Sequence, residues 1–138
     1  MSTDEQRAGR VFAAIVDTSG SMSRSGIGKA IGAIASYAMS RDVSLVRLIH
    51  CDAHAYDAGF IEPEGLLDRV EVKGRGGTVL MPGVKLLDEA TDFPKDGPVL
   101  VITDGMCDRL TIRREHAYLL ADGGRLAFPA KGPVFRFS

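Results

Sequence analysis

The chain has 138 residues, of which 45% are hydrophobic and 25% charged, and its formal net charge is −1 at pH 7. This length allows one domain with a substantial core and is too short for two. The nearly neutral charge provides no general attraction to nucleic acid or to an anionic membrane. No stretch approaches 18 uninterrupted apolar residues, so no membrane span is expected. We therefore predict a flexible N-terminus over residues 1–9 and a single domain over 10–138 whose partner is chosen by a local site.

The N-terminal sequence MSTDEQRAGR is polar and lacks the apolar segment of a secretory signal. Two cysteines, Cys51 and Cys107, are the only ones in the chain. Together these features predict a cytoplasmic protein with reduced, buried or half-buried thiols. A disulfide between the two is not expected, because the strand that starts near Arg10 should lie between their strands.

The first half of the domain begins with a near-continuous apolar run, RVFAAIV over 10–16, which is typical of a strand buried on both faces. The segment 26–41 then has apolar residues at helical spacing and is predicted as a helix. Gly28 and Gly32 lie near a common face of that helix, and we expect them to allow close packing on the sheet. The next strand is VSLVRLIHC over 43–51, and DAHAYDAGF after it predicts an antiparallel edge strand.

In the second half, KGRGGTVL reads as a flexible loop, and Pro82 opens a helix through about Ala90. The segment VLVITDG over 99–105 is a second fully apolar strand, and HAYLLA and PVFRF are further strand candidates. Alternating strands and helices predict an α/β fold: a doubly wound, Rossmann-like, mostly parallel sheet with one antiparallel edge strand and helices on both faces. Ligands of such sheets bind at the carboxyl ends of the strands.

Oxygen-bearing side chains follow two of these predicted strands. Asp17, Ser19 and Ser21 stand at alternate positions directly after the first strand, so the three side chains can converge on one point. Asp104 follows the 99–105 strand at the same edge, and Thr78 in GRGGT offers a third hydroxyl. Five oxygen donors with few carboxylates favour Mg²⁺ or Mn²⁺ over Ca²⁺. If the two acids hold the ion through water, it keeps much of its charge and can attract a carboxylate from a protein partner.

The pattern Asp17-x-Ser19-x-Ser21, with Thr78 and Asp104 in the same order, resembles the metal-ion-dependent adhesion site of von Willebrand factor type A (VWA) domains. The phrases VDTSGSM, HCDAHAYD, GRGGT and VLVITDG are similar to a bacterial branch in which a VWA-like domain ends a longer metallopeptidase-like protein. The resemblance covers about residues 10–108. It implies direct metal contacts from Ser19, Ser21 and, depending on the state of the site, Thr78, with Asp17 and Asp104 acting mainly through water.

The same resemblance implies a protein partner, with an AAA+ ATPase or a metallopeptidase-like protein as candidates. It also implies a domain trimmed at its C-terminus, because the chain is shorter than the usual VWA domain. Peptidase activity does not carry over, since the chain contains no HExxH.

Two alternatives to a binding module stay open on the sequence alone. One is an enzyme, most plausibly for metal-dependent phosphoryl transfer with Asp17 as nucleophile, although a second acid is missing at Ser19. The other is a structural or oligomerisation unit with an idle site. A phosphate-binding loop does not fit, because Ser23 and Ala30 replace required residues of its motif. A serine hydrolase does not fit either, because TSGSM is not GxSxG.

Overall fold

The computed structural model describes residues 11–18, 24–52, 54–66, 79–105, 107–121 and 124–137. In chain order the elements are β1 (Phe12–Asp17), α1 (Arg24–Ser40), β2 (Val46–Cys51), β3 (Ala55–Ile61), a 3₁₀ turn (Pro63–Gly65), α2 (Met81–Glu89), β4 (Val99–Thr103), β5 (His116–Ala121) and β6 (Val134–Phe137). Among these residues no helix combines the length and apolarity that a bilayer crossing requires.

The six strands form one sheet in the order β3-β2-β1-β4-β5-β6. All neighbouring pairs are parallel except β2 and β3, which are antiparallel. The predicted Rossmann-like sheet with one antiparallel edge strand is thereby confirmed. Strand β1 lies between β2, which carries Cys51, and β4, which precedes Cys107, and both cysteines are free.

Each face of the sheet has its own core because alternate residues of β1 point to opposite sides. Helix α1 packs with Phe12, Ala14 and Val16 on one face. Helix α2 packs with Ala13 and Ile15 on the other. Every residue of β1 and β2 is buried, as expected for central strands of a parallel sheet covered on both sides. The predicted placement of helices on both faces is confirmed.

The connections after β4 and β5 run on the α2 side of the sheet. They pack there through Leu110, Ile112, Leu126 and Phe128, and no helix occurs among the described residues beyond β4. The α1 side of β4 to β6 therefore carries an open groove of about 800 Å³. Its mainly apolar lining includes Phe12, Tyr37, Leu100, Leu119 and Phe135.

The expectation for the glycines of α1 was wrong for Gly32. This residue is exposed, and a Cβ atom built on it would have no neighbour within 4 Å. The close approach between helix and sheet occurs instead in α2, where a Cβ on Gly83 would lie 2.9 Å from Cys51 Sγ and 3.2 Å from Ile49 Cγ2. Glycine therefore permits close packing in the second helix, which lies on the opposite face of the sheet.

Candidate functional site at the carboxyl edge of the sheet

Asp17 ends β1 and is completely buried. Strand β4 pairs with β1. The last residue of β4, Thr103, donates a hydrogen bond from Oγ1 to Asp17 Oδ2 over 2.7 Å. Thr103 is also completely buried. A buried carboxylate needs hydrogen-bond donors to offset the lost hydration. The Thr103 hydroxyl supplies one of these donors and fixes the orientation of the Asp17 carboxylate.

Asp104 follows Thr103 directly and is half-buried at the same edge. The next residue, Gly105, has φ +91°, and its amide donates to Thr103 Oγ1 over 3.1 Å. A side chain on Gly105 would collide with the Arg125 carbonyl oxygen, so both the backbone angle and the space require glycine here. The amide of Arg125 in turn donates to the Asp104 carbonyl over 3.2 Å. These contacts hold Asp104 immediately after the strand, beside the end of β1.

The carboxyl end of β2 forms hydrogen bonds with two other chain segments, the one that follows β1 and the one that precedes α2. The Thr18 backbone amide and Oγ1 both donate to the Cys51 carbonyl, over 2.8 and 3.1 Å. The amide of Val79 donates to the Asp52 carbonyl over 3.0 Å. The Asp52 carboxylate accepts from the His54 amide over 2.9 Å, which shows that its side chain stabilises the turn into β3. The segments that flank Ser19 and Thr78 in the sequence are therefore attached to the same strand end.

Asp108 caps the N-terminus of α2 from a distant part of the chain. Its Oδ1 accepts from the Leu80 amide over 2.7 Å and its Oδ2 accepts from the Met81 amide over 3.0 Å. The first amides of a helix have no partner within the helix, and a carboxylate there also interacts favourably with the helix dipole. Asp108 thus joins the loop after β4 to the segment that begins at Val79.

Four acidic residues, Asp17, Asp52, Asp104 and Asp108, surround the two cysteines at this edge. Burial is the main cause that raises the pKa of the Cys51 thiol to about 12, and the charges of Asp17, Asp108 and Asp52 add to it. Burial likewise raises the pKa of Cys107 to about 12, with Asp108, Asp17 and Asp104 contributing. Both thiols are therefore protonated at neutral pH. Asp17 and Asp108 act on both thiols, as expected for acids grouped at one edge of the sheet.

The structure places two of the five predicted metal-site residues. Asp17 and Asp104 lie at the ends of the neighbouring strands β1 and β4, as the sequence predicted. Ser19, Ser21 and Thr78 lie outside the described residues. Within the described ranges, no three His, Cys, Asp or Glu side chains form a metal-binding group. Both placed residues are carboxylates, whose hard oxygens are of the type that Mg²⁺ prefers; the other three predicted donors are hydroxyls outside the described residues.

Sequence reasoning missed two residues of this edge, Thr103 and Asp108. Thr103 was counted only as part of an apolar strand, although a single hydroxyl in VLVIT was the available signal. Asp108 lies 28 residues after Leu80, whose amide it accepts from at the start of the helix, so no local capping pattern could reveal it. Its carboxylate is satisfied by backbone amides, which assigns it a structural role at the edge.

A solved structure shares the fold of this chain. The chain matches an aerotolerance-related membrane protein from Bacteroides fragilis, crystallised with multiple mutations to serines, with a TM-score of 0.62 and 17% identity. The match covers 80% of this chain and 66% of that one, so the chain spans just under two thirds of that protein's length. At this identity the likeness shows the fold. No curated protein matches the chain.

The class of domain follows from the sequence as well. A family model described as VWA-like domain (DUF2201) matches residues 12–111, which include β1 to β4 and both acids placed at the edge. The chain therefore belongs to this family of VWA-like domains, which confirms the predicted resemblance to the VWA family.

Proposed function

We propose that this VWA-like domain is a metal-dependent protein-binding module, and that it is not an enzyme. In this proposal Mg²⁺, or Mn²⁺ in its place, is held at the carboxyl edge by Ser19, Ser21 and Thr78, with Asp17 and Asp104 acting mainly through water. The ion then recruits an Asp or Glu carboxylate of a protein partner.

The observation that carries the proposal is the placement of the two acids. Asp17 and Asp104 come from segments that are far apart in sequence, yet Asp17 ends β1 and Asp104 directly follows the adjacent strand β4. The bond from Thr103 holds the Asp17 carboxylate in one orientation. An oriented Asp17 carboxylate beside Asp104, at the edge where open α/β sheets bind their ligands, supports a site for a hard cation.

The residue types favour docking over catalysis. A hydroxyl-rich inner shell donates little negative charge, so the metal remains a strong acceptor for a partner's carboxylate. Phosphoryl transfer through Asp17 requires a nucleophile open to substrate, whereas the Asp17 side chain is completely buried. The family resemblance suggests an AAA+ ATPase or a metallopeptidase-like protein as the partner, and we propose that the encounter takes place in the cytoplasm.

Calorimetric titration with Mg²⁺ tests this function. Asp17→Asn keeps the shape of the side chain and an oxygen that can accept from Thr103, but it removes the charge. We expect wild type to give a saturable heat and Asp17→Asn to give none, while both unfold cooperatively. Asp57→Asn is the matched control, because it removes an acid bonded to Arg47 in the β2–β3 pair. Equal heats for wild type and Asp17→Asn would refute the proposed site.

A further inference from the structure

We infer that Asp108 is a positioning residue that fixes the segment beginning at Val79 against the loop after β4, and so sets the geometry of the edge without binding metal itself. The part of this inference that concerns metal rests on the proposed function. The part that concerns the fixed segment rests only on the described residues.

The bonds of Asp108 identify its role. Its two oxygens accept from two successive backbone amides, those of Leu80 and Met81, over 2.7 and 3.0 Å. These are the amides at the start of α2, and the residue preceding the helix makes no side-chain cap of its own. A bidentate carboxylate on two amides fixes both the distance and the orientation of the backbone it holds.

The segment held by Asp108 is also tied to the other side of the edge. Its first described residue, Val79, donates to the Asp52 carbonyl at the end of β2. The helix that follows packs closely against the sheet at Gly83, where an added side chain would have to displace Cys51. Backbone between these contacts has little freedom to shift. Thr78 immediately precedes Val79 in the sequence, and the part of the inference that concerns metal is that loosening these contacts weakens metal binding.

Asp108 is suited to positioning and not to ligation. Both of its oxygens are already engaged by backbone amides of the helix start. It stands four positions after Asp104 in the sequence, and it therefore connects the loop that carries one proposed ligand to the segment that follows another. Residues that orient metal ligands from outside the coordination shell commonly change metal affinity 10- to 100-fold when replaced.

The test compares Asp108→Ala and the milder Asp108→Asn with wild type. In metal-free protein, amide exchange followed by NMR should show the Leu80 and Met81 amides exchanging at least about tenfold faster in Asp108→Ala. Electron paramagnetic resonance titration should show the Mn²⁺ dissociation constant raised by about tenfold or more. Asp88→Asn is the matched control, because it removes an acid from the other end of the same helix, where Asp88 bonds Arg114. It should leave both readouts as in wild type.

The outcomes separate the two proposals. If wild type binds no Mn²⁺, the proposed function fails, and the exchange of the Leu80 and Met81 amides alone decides whether Asp108 fixes the segment. If wild type binds Mn²⁺ and folded Asp108→Asn and Asp108→Ala bind it equally well, the positioning role is overturned. Unchanged protection of both amides in Asp108→Ala would overturn it independently of any metal.

Discussion

Replacement of Thr103 by valine removes one hydroxyl from the centre of the proposed site and keeps the shape of the side chain. In the native protein that hydroxyl donates to Asp17 and accepts from the Gly105 amide. Thr103→Val therefore leaves a completely buried carboxylate with one donor fewer and deprives a backbone amide of its acceptor. The substitution tests whether the strand end is built around the Asp17 carboxylate.

The size of the effect follows from these two bonds. A hydrogen bond to a charged group contributes about 1.5–3 kcal/mol, and an amide left without its acceptor costs about 1–3 kcal/mol when buried. The methyl group that replaces the hydroxyl returns about 0.8 kcal/mol through its burial. The net loss of unfolding free energy is expected to be about 3 kcal/mol. With a urea m-value of about 2 kcal/mol/M, the midpoint of unfolding falls by roughly 1.5 M.

Urea unfolding followed by circular dichroism measures this shift. Thr103→Ser is the matched control, because it keeps the hydroxyl and loses only a methyl group, so a smaller loss of about 1 kcal/mol is expected. Thr18→Val is a second control that removes a buried hydroxyl bonded to a neutral carbonyl. If Thr103→Val is as stable as Thr103→Ser, the hydroxyl does not support Asp17 and the reasoning is refuted.

Two further predictions concern the scaffold. The Arg47 guanidinium holds the pKa of the Asp57 carboxyl below its usual range, so the pair stabilises the fold fully above the unfolded-state value of about 4. Asp57→Asn should lower the unfolding free energy by about 2 kcal/mol at pH 7. The difference from wild type should shrink as the pH falls below 4, because the Asp57 carboxyl of the wild type then becomes protonated. Urea midpoints of both proteins between pH 7 and pH 3 measure this difference, and a difference that does not change with pH would contradict the prediction. Gly32→Ala should raise the unfolding free energy by about 0.5–1 kcal/mol, because the site is helical and open. Gly83→Ala should lower the unfolding free energy by about 1 kcal/mol or more, because the new methyl group meets Cys51. Thermal unfolding of the two glycine variants measures both effects. A change of the same sign in both variants would contradict the described packing of the two helices.

The sheet could be predicted because its central strands have a recognisable sequence pattern. β1 is a short apolar run that ends in Asp17, and β4 is a mainly apolar run that Asp104 follows directly. The boundaries were less accurate: β2 begins at Val46, three residues after the predicted start, and α1 begins two residues early, at Arg24. Residues at element ends have weaker local preferences, and tertiary contacts decide where the hydrogen-bonded ladder starts.

The candidate site was predictable only as far as residue type and order define it. Asp17 and Asp104 could be placed because each follows a recognisable strand. Asp108 could not, because its two bonds join segments that only the folded sheet brings together. Gly32 and Gly83 both lie in predicted helices, but only Gly83 is in close contact with the sheet. The positions of glycines in a sequence do not by themselves show which face of a helix packs on a strand.

Anomalous diffraction from crystals grown with Mn²⁺ would show whether a divalent cation binds where β1 and β4 end. We expect one strong anomalous peak beside the carboxylates of Asp17 and Asp104, coordinated by oxygens of Ser19, Ser21 and Thr78. The peak should disappear in crystals of Asp17→Asn grown in the same solution. A Mn²⁺ peak elsewhere on the domain, or none at this edge at millimolar Mn²⁺, would contradict the proposed site.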